Sequence, residues 1–295
     1  MKSVAHNSDR RSAGVAVVSG ATSGIGLAIA RRLADAGYEL TLVARNLERL
    51  THTAEALRGV SKSQTPRIRV FPCDLADPRQ LLALAADLEQ QPRLDLLVNC
   101  AGIACTTYLQ QIEPEAIVAL AAVNLVAPMV LSRAAMQPMA QTPGAVIVNV
   151  ASMIALLPYH GYTVYAATKA GLLAFSDALR REAKTTGVRV LSVLPADVDT
   201  PMLAAERKTM PLETQRLNGN LAPISPESVA ESVMRALERG HREVVPGTMS
   251  RVMRQVIRLI PVSLADFIIA RISNSQSPQP ALAQSTADAR REKAR

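Results

Sequence analysis

Tryptophan is absent from this chain, and its 295 residues hold only five tyrosines and three phenylalanines. The hydrophobic fraction of 48% must therefore come from aliphatic side chains, enough for one large core without aromatic packing. The three cysteines, Cys73, Cys100 and Cys105, match neither a zinc spacing nor a disulfide framework. Their pattern excludes a stapled secreted fold and points to a reducing compartment. No run of about 18 uncharged apolar residues occurs, so no membrane-spanning helix is expected. The opening "MKSVAHNSDRRSAG" lacks the apolar stretch of a secretory leader, so a cytoplasmic protein is expected.

Positive charge is scarce where a nucleic-acid face would need it. The net charge is +8, but residues 251–295 hold +5 of it and residues 1–13 another +2. The body, 14–250, is left near +1, which argues against a nucleic-acid partner. Internal repeats and low-complexity blocks are missing as well.

What remains is a regular alternation. Apolar runs at 14–20, 38–45, 67–75, 94–102, 144–152 and 188–198 read as buried strands. Helical spacing fills 24–37, 46–59, 77–90, 113–136 and 162–184 between them. Gly37 is a helix stop, and Asp77-Pro78 reads as an N-cap followed by proline at N1. Continuous apolar strands separated by helices predict an α/β fold, a doubly wound Rossmann-type parallel sheet in a single domain. The domain is expected over 14–247, followed by an amphipathic helical extension over 248–272 and a disordered tail over 273–295.

Three stretches hold the chemistry. "SGATSGIG" joins the first strand to the first helix, with Gly20, Gly24 and Gly26 spaced to let backbone approach a pyrophosphate at a helix N-terminus. A tight turn is the plainer reading of those glycines. The second strand ends in Ala44-Arg45, where a fold preferring NAD places an acid. An arginine suits a 2′-phosphate instead, which predicts NADPH; a solvated arginine is the alternative. In "VYAATKAG", Tyr165 and Lys169 stand four residues apart and share a helix face, where a cation lowers a phenol pKa.

These residues occur in order with Asn99-Cys-Ala-Gly102, Asn124 and Ser152, which lies 13 positions before Tyr165. The ordered set resembles the short-chain dehydrogenase/reductase family over residues 14–250. The resemblance implies that Tyr165 is the catalytic acid/base and that Ser152 steadies the substrate carbonyl. Lys169 would bind the nicotinamide ribose and lower the Tyr165 pKa, and Asn124 would hold a water of a proton relay. Asp74 would contact adenine, with Leu75 flanking the ring, although Asp74 also reads as a simple cap. Asn99 and Gly102 would stabilise the sheet and approach the cofactor, and Thr200 would bind the carboxamide. Ser23, Ile25, Ala101, Pro195 and Val198 complete the implied cofactor contacts. Cys100 stands where many members have a second asparagine and reads as a packed thiol. The family's usual Pro-Gly is here Pro195-Ala196.

Within the family, "LPADVDTPMLAAERKTMPLET" looks like the corresponding stretch of 3-ketodihydrosphingosine reductases. This implies reduction of a lipid-like long-chain ketone. A 3-oxoacyl thioester or steroid-like carbonyl is the alternative substrate, and a non-catalytic dinucleotide sensor the alternative class. Residues 249–272 are apolar, with Arg251, Arg254 and Arg258 at helical spacing and Pro261 as a break. Such a segment suits peripheral contact with a membrane surface, a lid or a dimer contact. A homo-oligomer through the helices near 113–136 and 162–184 is the family-level expectation.

Overall fold

The structure, a computed structural model, describes residues 14–60, 67–218 and 222–273, with the Val60 side chain set aside. Of the expected disordered tail only Ser273 falls within these residues.

The six expected strands form, each shorter than its apolar run: β1 (Val15–Ser19), β2 (Glu39–Ala44), β3 (Ile68–Pro72), β4 (Leu96–Asn99), β5 (Val146–Val150) and β6 (Arg189–Val193). A seventh, β7 (Glu243–Val244), has only two residues and no pattern to announce it. All pair in parallel in the order β3-β2-β1-β4-β5-β6-β7. The central strands β1, β4 and β5 are buried on both faces. In β1, Ala16 and Val18 face one layer while Val17 faces the other.

The first layer holds α1 (Gly24–Asp35), α2 (Leu47–Val60) and α9 (Pro226–Glu238), through Ile29, Leu33, Leu50, Leu57, Val229 and Val233. The second holds α3 (Pro78–Glu89), α4 (Pro114–Ala121), α5 (Ala127–Ala140) and α6 (Thr163–Glu182), with Leu84, Leu88, Leu131, Met139 and Leu179 in its core. Asp77 caps α3 by accepting from the Arg79 N–H at 2.8 Å, with Pro78 at N1, as its sequence predicts. Short helices α7 (Pro201–Thr209) and α8 (Leu212–Asn218) follow β6. The extension folds as α10 (Thr248–Leu259) and α11 (Val262–Ser273), divided at Ile260-Pro261.

Among the described residues one helical stretch, Pro114–Ala140, is long and apolar enough by length and composition to cross a membrane, where none was expected. Asn124 and Ser132 interrupt its apolar run, and both are fully buried within the fold. Its inner face (Leu120, Val123, Ala127, Leu131) is covered by the rest of the chain.

The sheet order reverses between β1 and β4, so the connections leaving these neighbours run to opposite faces. A crevice opens at the strand C-termini there, which is where such sheets bind ligands.

Candidate active site

β1 turns at Gly20 into α1. Gly20 and Gly24 have φ of +69° and +51°, a region glycine adopts without strain. Gly26 is required by space: a Cβ there would lie 2.3 Å from the Gly20 carbonyl oxygen. Ser23 is the α1 N-cap, yet its side chain makes no capping bond, and no acid occupies the first turn. The helix end therefore presents backbone N–H groups and its positive dipole end to an anion. Thr200, the α7 N-cap, packs over this turn, since a Cβ on Gly24 would meet its methyl at 2.9 Å.

β4 leads into Ala101-Gly102. A Cβ on Gly102 would come within 3.3 Å of Asn124 Oδ1 and 3.6 Å of Lys169 Nζ, filling the space in front of the lysine. These glycine-shaped gaps at both ends of the crevice fit a dinucleotide.

Ser152 follows β5. Its hydroxyl donates to the Pro195 carbonyl (3.4 Å) and accepts from the Ile154 N–H (3.3 Å). Tyr165 and Lys169 lie one turn apart on α6. Lys169 Nζ donates to the Val150 carbonyl (2.8 Å) and lies 5.7 Å from the Tyr165 ring centre. Burial lowers its pKa to about 8. Asn124 sits in a π-helical turn, Ala122–Val126, a device frequent at functional sites. Its carboxamide accepts from the Ile103 N–H and donates to the Ile103 carbonyl, both at 2.9 Å, and also donates to the Thr168 hydroxyl (3.2 Å).

The expected lowering of the Tyr165 phenol is reversed. Burial pushes its pKa up, Glu206 and Tyr162 add to the rise, and the Ser152 hydroxyl opposes it. The ammonium stands over the ring while bonded to Val150, so it does not pair with the phenol oxygen. Desolvation, with no thiolate-stabilising partner strong enough to offset it, pushes the Cys100 thiol up to about 12. It therefore remains protonated, as a packed thiol does.

The glycine turn, Ser23, Ile25, Ala101, Gly102, Ser152, Tyr165, Lys169, Pro195, Val198 and Thr200 all line one cavity of about 640 Å³. Other predicted residues lie elsewhere. The Asn99 amide donates to Asn149 Oδ1 (2.8 Å) and to the Ser132 hydroxyl (3.3 Å), inside the sheet and away from the cavity. Leu75 is buried in the second core layer, so its side chain cannot flank a ring outside it. Asp74 accepts from the Ala76 N–H (3.0 Å), a local turn bond. Asn124 is fully buried behind the cavity wall. Arg45 is exposed at the end of β2 and makes no hydrogen bond or ion pair among the described residues.

Tyr159, Tyr162, Asp197 and Glu206 are among the cavity residues that sequence reasoning passed over. Tyr159 and Tyr162 continue the wall begun by Tyr165, with ring centres 5.5 and 5.9 Å apart along the series. Three of the chain's five tyrosines fall at three-residue spacing here, a signal that was available. Asp197 and Glu206 also line the cavity. Burial, then Asp197, raises Glu206 to about 7, against a hydrogen bond from Thr106. Burial raises Asp197 too, against Arg207.

A family model described as short chain dehydrogenase matches residues 14–211. The chain is 32% identical over 230 residues to a 3-ketodihydrosphingosine reductase of Mus musculus, covering 76% of this chain and 68% of that protein. It is 34% identical over 248 residues to a 3-oxoacyl-[acyl-carrier-protein] reductase of Homo sapiens, covering 81% and 99%. In three dimensions it is similar to a short-chain dehydrogenase from Sphingobium yanoikuyae in complex with NADPH. That likeness has a TM-score of 0.73 at 26% identity and covers 91% of this chain and 99% of the other.

Proposed function

The chain belongs to the short-chain dehydrogenase family, and we propose that it reduces the 3-keto group of a long-chain 2-amino-3-ketone, 3-ketodihydrosphingosine, to the alcohol. It is an NADP-dependent oxidoreductase, and bound NADPH supplies the hydride. Tyr165 supplies the proton. A phenol is protonated at neutral pH and burial raises its pKa further, so Tyr165 is in the state needed to donate to a ketone oxygen gaining charge. Ser152 gives that oxygen a second hydrogen bond. Lys169 and Gly102 would hold the nicotinamide ribose end, the Gly20–Gly26 turn would hold the pyrophosphate, and Arg45 would meet the 2′-phosphate.

The observation behind the substrate is the lining of the cavity. Beside Ser152, Tyr165 and Lys169 it has an apolar wall from Met249, Met253, Val256 and Ile257 of α10 and Ile268 and Ile272 of α11. A long alkyl chain suits that wall. We take 14–247 as the catalytic unit and 248–272 as its substrate-facing extension. A cytoplasmic homo-oligomer that touches lipid through the extension fits the same reading.

The test is NADPH oxidation at 340 nm with 3-ketodihydrosphingosine beside a short 3-oxoacyl thioester, with Tyr165→Phe as the blank. Turnover of the sphingoid ketone, lost in the blank, is expected. Turnover of the thioester alone favours the second reading, which the human relative's 99% coverage supports.

A further inference from the structure

Among the described residues, three charged side chains line the cavity: Lys169, Asp197 and Glu206. Lys169 is bonded to Val150, and the reduction described above uses neither carboxyl. Glu206 reaches in from α7. One of its oxygens accepts from the Thr106 hydroxyl at 3.4 Å, and the other accepts no hydrogen bond among the described residues. Asp197 lies on the loop after β6, in the Pro195–Pro201 motif, and its carboxyl likewise accepts none among them. The same cavity is lined by Tyr159, Tyr162 and Tyr165, all three within the electrostatic reach of both carboxyls.

Carboxylate acceptors and ring faces in a largely apolar chamber are surroundings that suit a primary ammonium. A carboxylate left unpaired there is costly, and the raised pKa values of Glu206 and Asp197 register that cost. A bound cation offsets it. The position also follows from the substrate, because the amino carbon is bonded directly to the carbonyl carbon. An ammonium must then sit beside whatever group receives the ketone oxygen.

We propose that Glu206, assisted by Asp197, binds the protonated 2-amino group of the ketone and so selects 2-amino-3-ketones over 3-oxo compounds without an amine. This inference rests on the 2-amino-3-ketone reading above. It deepens that reading by assigning the selectivity to residues outside the Ser152–Tyr165–Lys169 set.

The test compares 3-ketodihydrosphingosine with the 3-ketone of equal chain length lacking the amine, reduced by the wild type and by Glu206→Gln. The wild type should favour the amino ketone in kcat/KM. The variant should cut that preference roughly 10- to 100-fold, the range for losing a hydrogen bond to a charged group. No preference in the wild type, or a preference kept by the variant, overturns the amine subsite and leaves the ketoreductase standing. Reduction of neither ketone beside turnover of a 3-oxoacyl thioester overturns both. Calorimetric titration of the cofactor-free protein with decylamine and with decanol is a readout independent of turnover. The amine should bind the wild type more tightly than the variant, and equal binding overturns the proposal.

Discussion

Lys169 Nζ stands 5.7 Å over the Tyr165 ring while it donates a hydrogen bond to the Val150 carbonyl, 2.8 Å away. The pair is therefore stacked on one helix face without a bond between ammonium and phenol. Tyr165→Phe should leave that stack and lower ketone reduction by roughly 10²–10⁴-fold, the usual span for a positioned proton donor. NADPH binding, followed by cofactor fluorescence, should change little. Equal losses in binding and turnover would mean that Tyr165 acts by holding the cofactor.

Arg45 is exposed and makes no bond among the described residues, so its guanidinium is free to meet a 2′-phosphate without first breaking another contact. Arg45→Asp should reduce the NADPH-over-NADH preference by about tenfold or more, since it replaces a charge-assisted bond with a repulsion. Steady-state kcat/KM with each cofactor measures this. An unchanged ratio would remove Arg45 from the site.

Gly26 has no room for a methyl group, with the Gly20 carbonyl oxygen 2.3 Å from where it would lie. Gly26→Ala must push the β1–α1 turn open. A stability loss of roughly 1–3 kcal/mol in urea unfolding is expected, with weakened NADPH binding. Gly59→Ala, where a Cβ meets nothing within 4 Å, is the control.

Lys169 and Glu206 make stability depend on pH in opposite directions. The folded Lys169 pKa is near 8 against an ordinary 10.5, so between those values the unfolded chain binds more protons and stability rises with pH. The folded Glu206 pKa is near 7 against 4.5, so between 4.5 and 7 the folded chain binds more protons and stability falls as pH rises. Glu206→Gln lacks the second effect. It should gain on the wild type across pH 4.5–7, by up to about 3 kcal/mol at the top of that window. Urea midpoints at pH 4.5 and 7.5 check this, and parallel curves would show that Glu206 titrates as an ordinary carboxyl.

The strands, the glycine turn and the Tyr165–Lys169 pair were legible in the sequence because each depends on local spacing or on a continuous apolar run. Leu75 was not, and of the two roles expected of Asn99 the structure displays the bracing of the sheet, through Asn149 and Ser132. Which way a side chain points at the end of a strand is set by the layer packed on it, and no local pattern reports that. Glu206 was hidden for the same reason, since "AAERKT" reads as an exposed helix until α7 is laid over the cavity. The two-residue β7 has no period to detect. The rise in the Tyr165 pKa is a property of the enclosing cavity, whereas the Tyr-x-x-x-Lys spacing pointed only to a nearby cation.

The outer faces of α10 and α11 leave Leu259, Val262 and Phe267 exposed at 83%, 77% and 61%, beside Arg251 and Arg258. The inner faces of the same helices line the cavity, so a lipid surface against the outer face would put its alkyl chains next to the entrance. Burying each such side chain gains roughly 1.5–3 kcal/mol, and the arginines add attraction to anionic headgroups that salt screens. The intact protein should therefore co-sediment with vesicles containing phosphatidylglycerol, less so at high salt, and less with pure phosphatidylcholine. Leu259→Glu with Phe267→Glu should abolish it while keeping a wild-type melting profile, since both side chains face away from the core. If the intact protein ignores anionic vesicles, the exposed apolar face serves another purpose. In that case a second copy of the chain, detected as a dimer that the double variant dissolves, becomes its occupant.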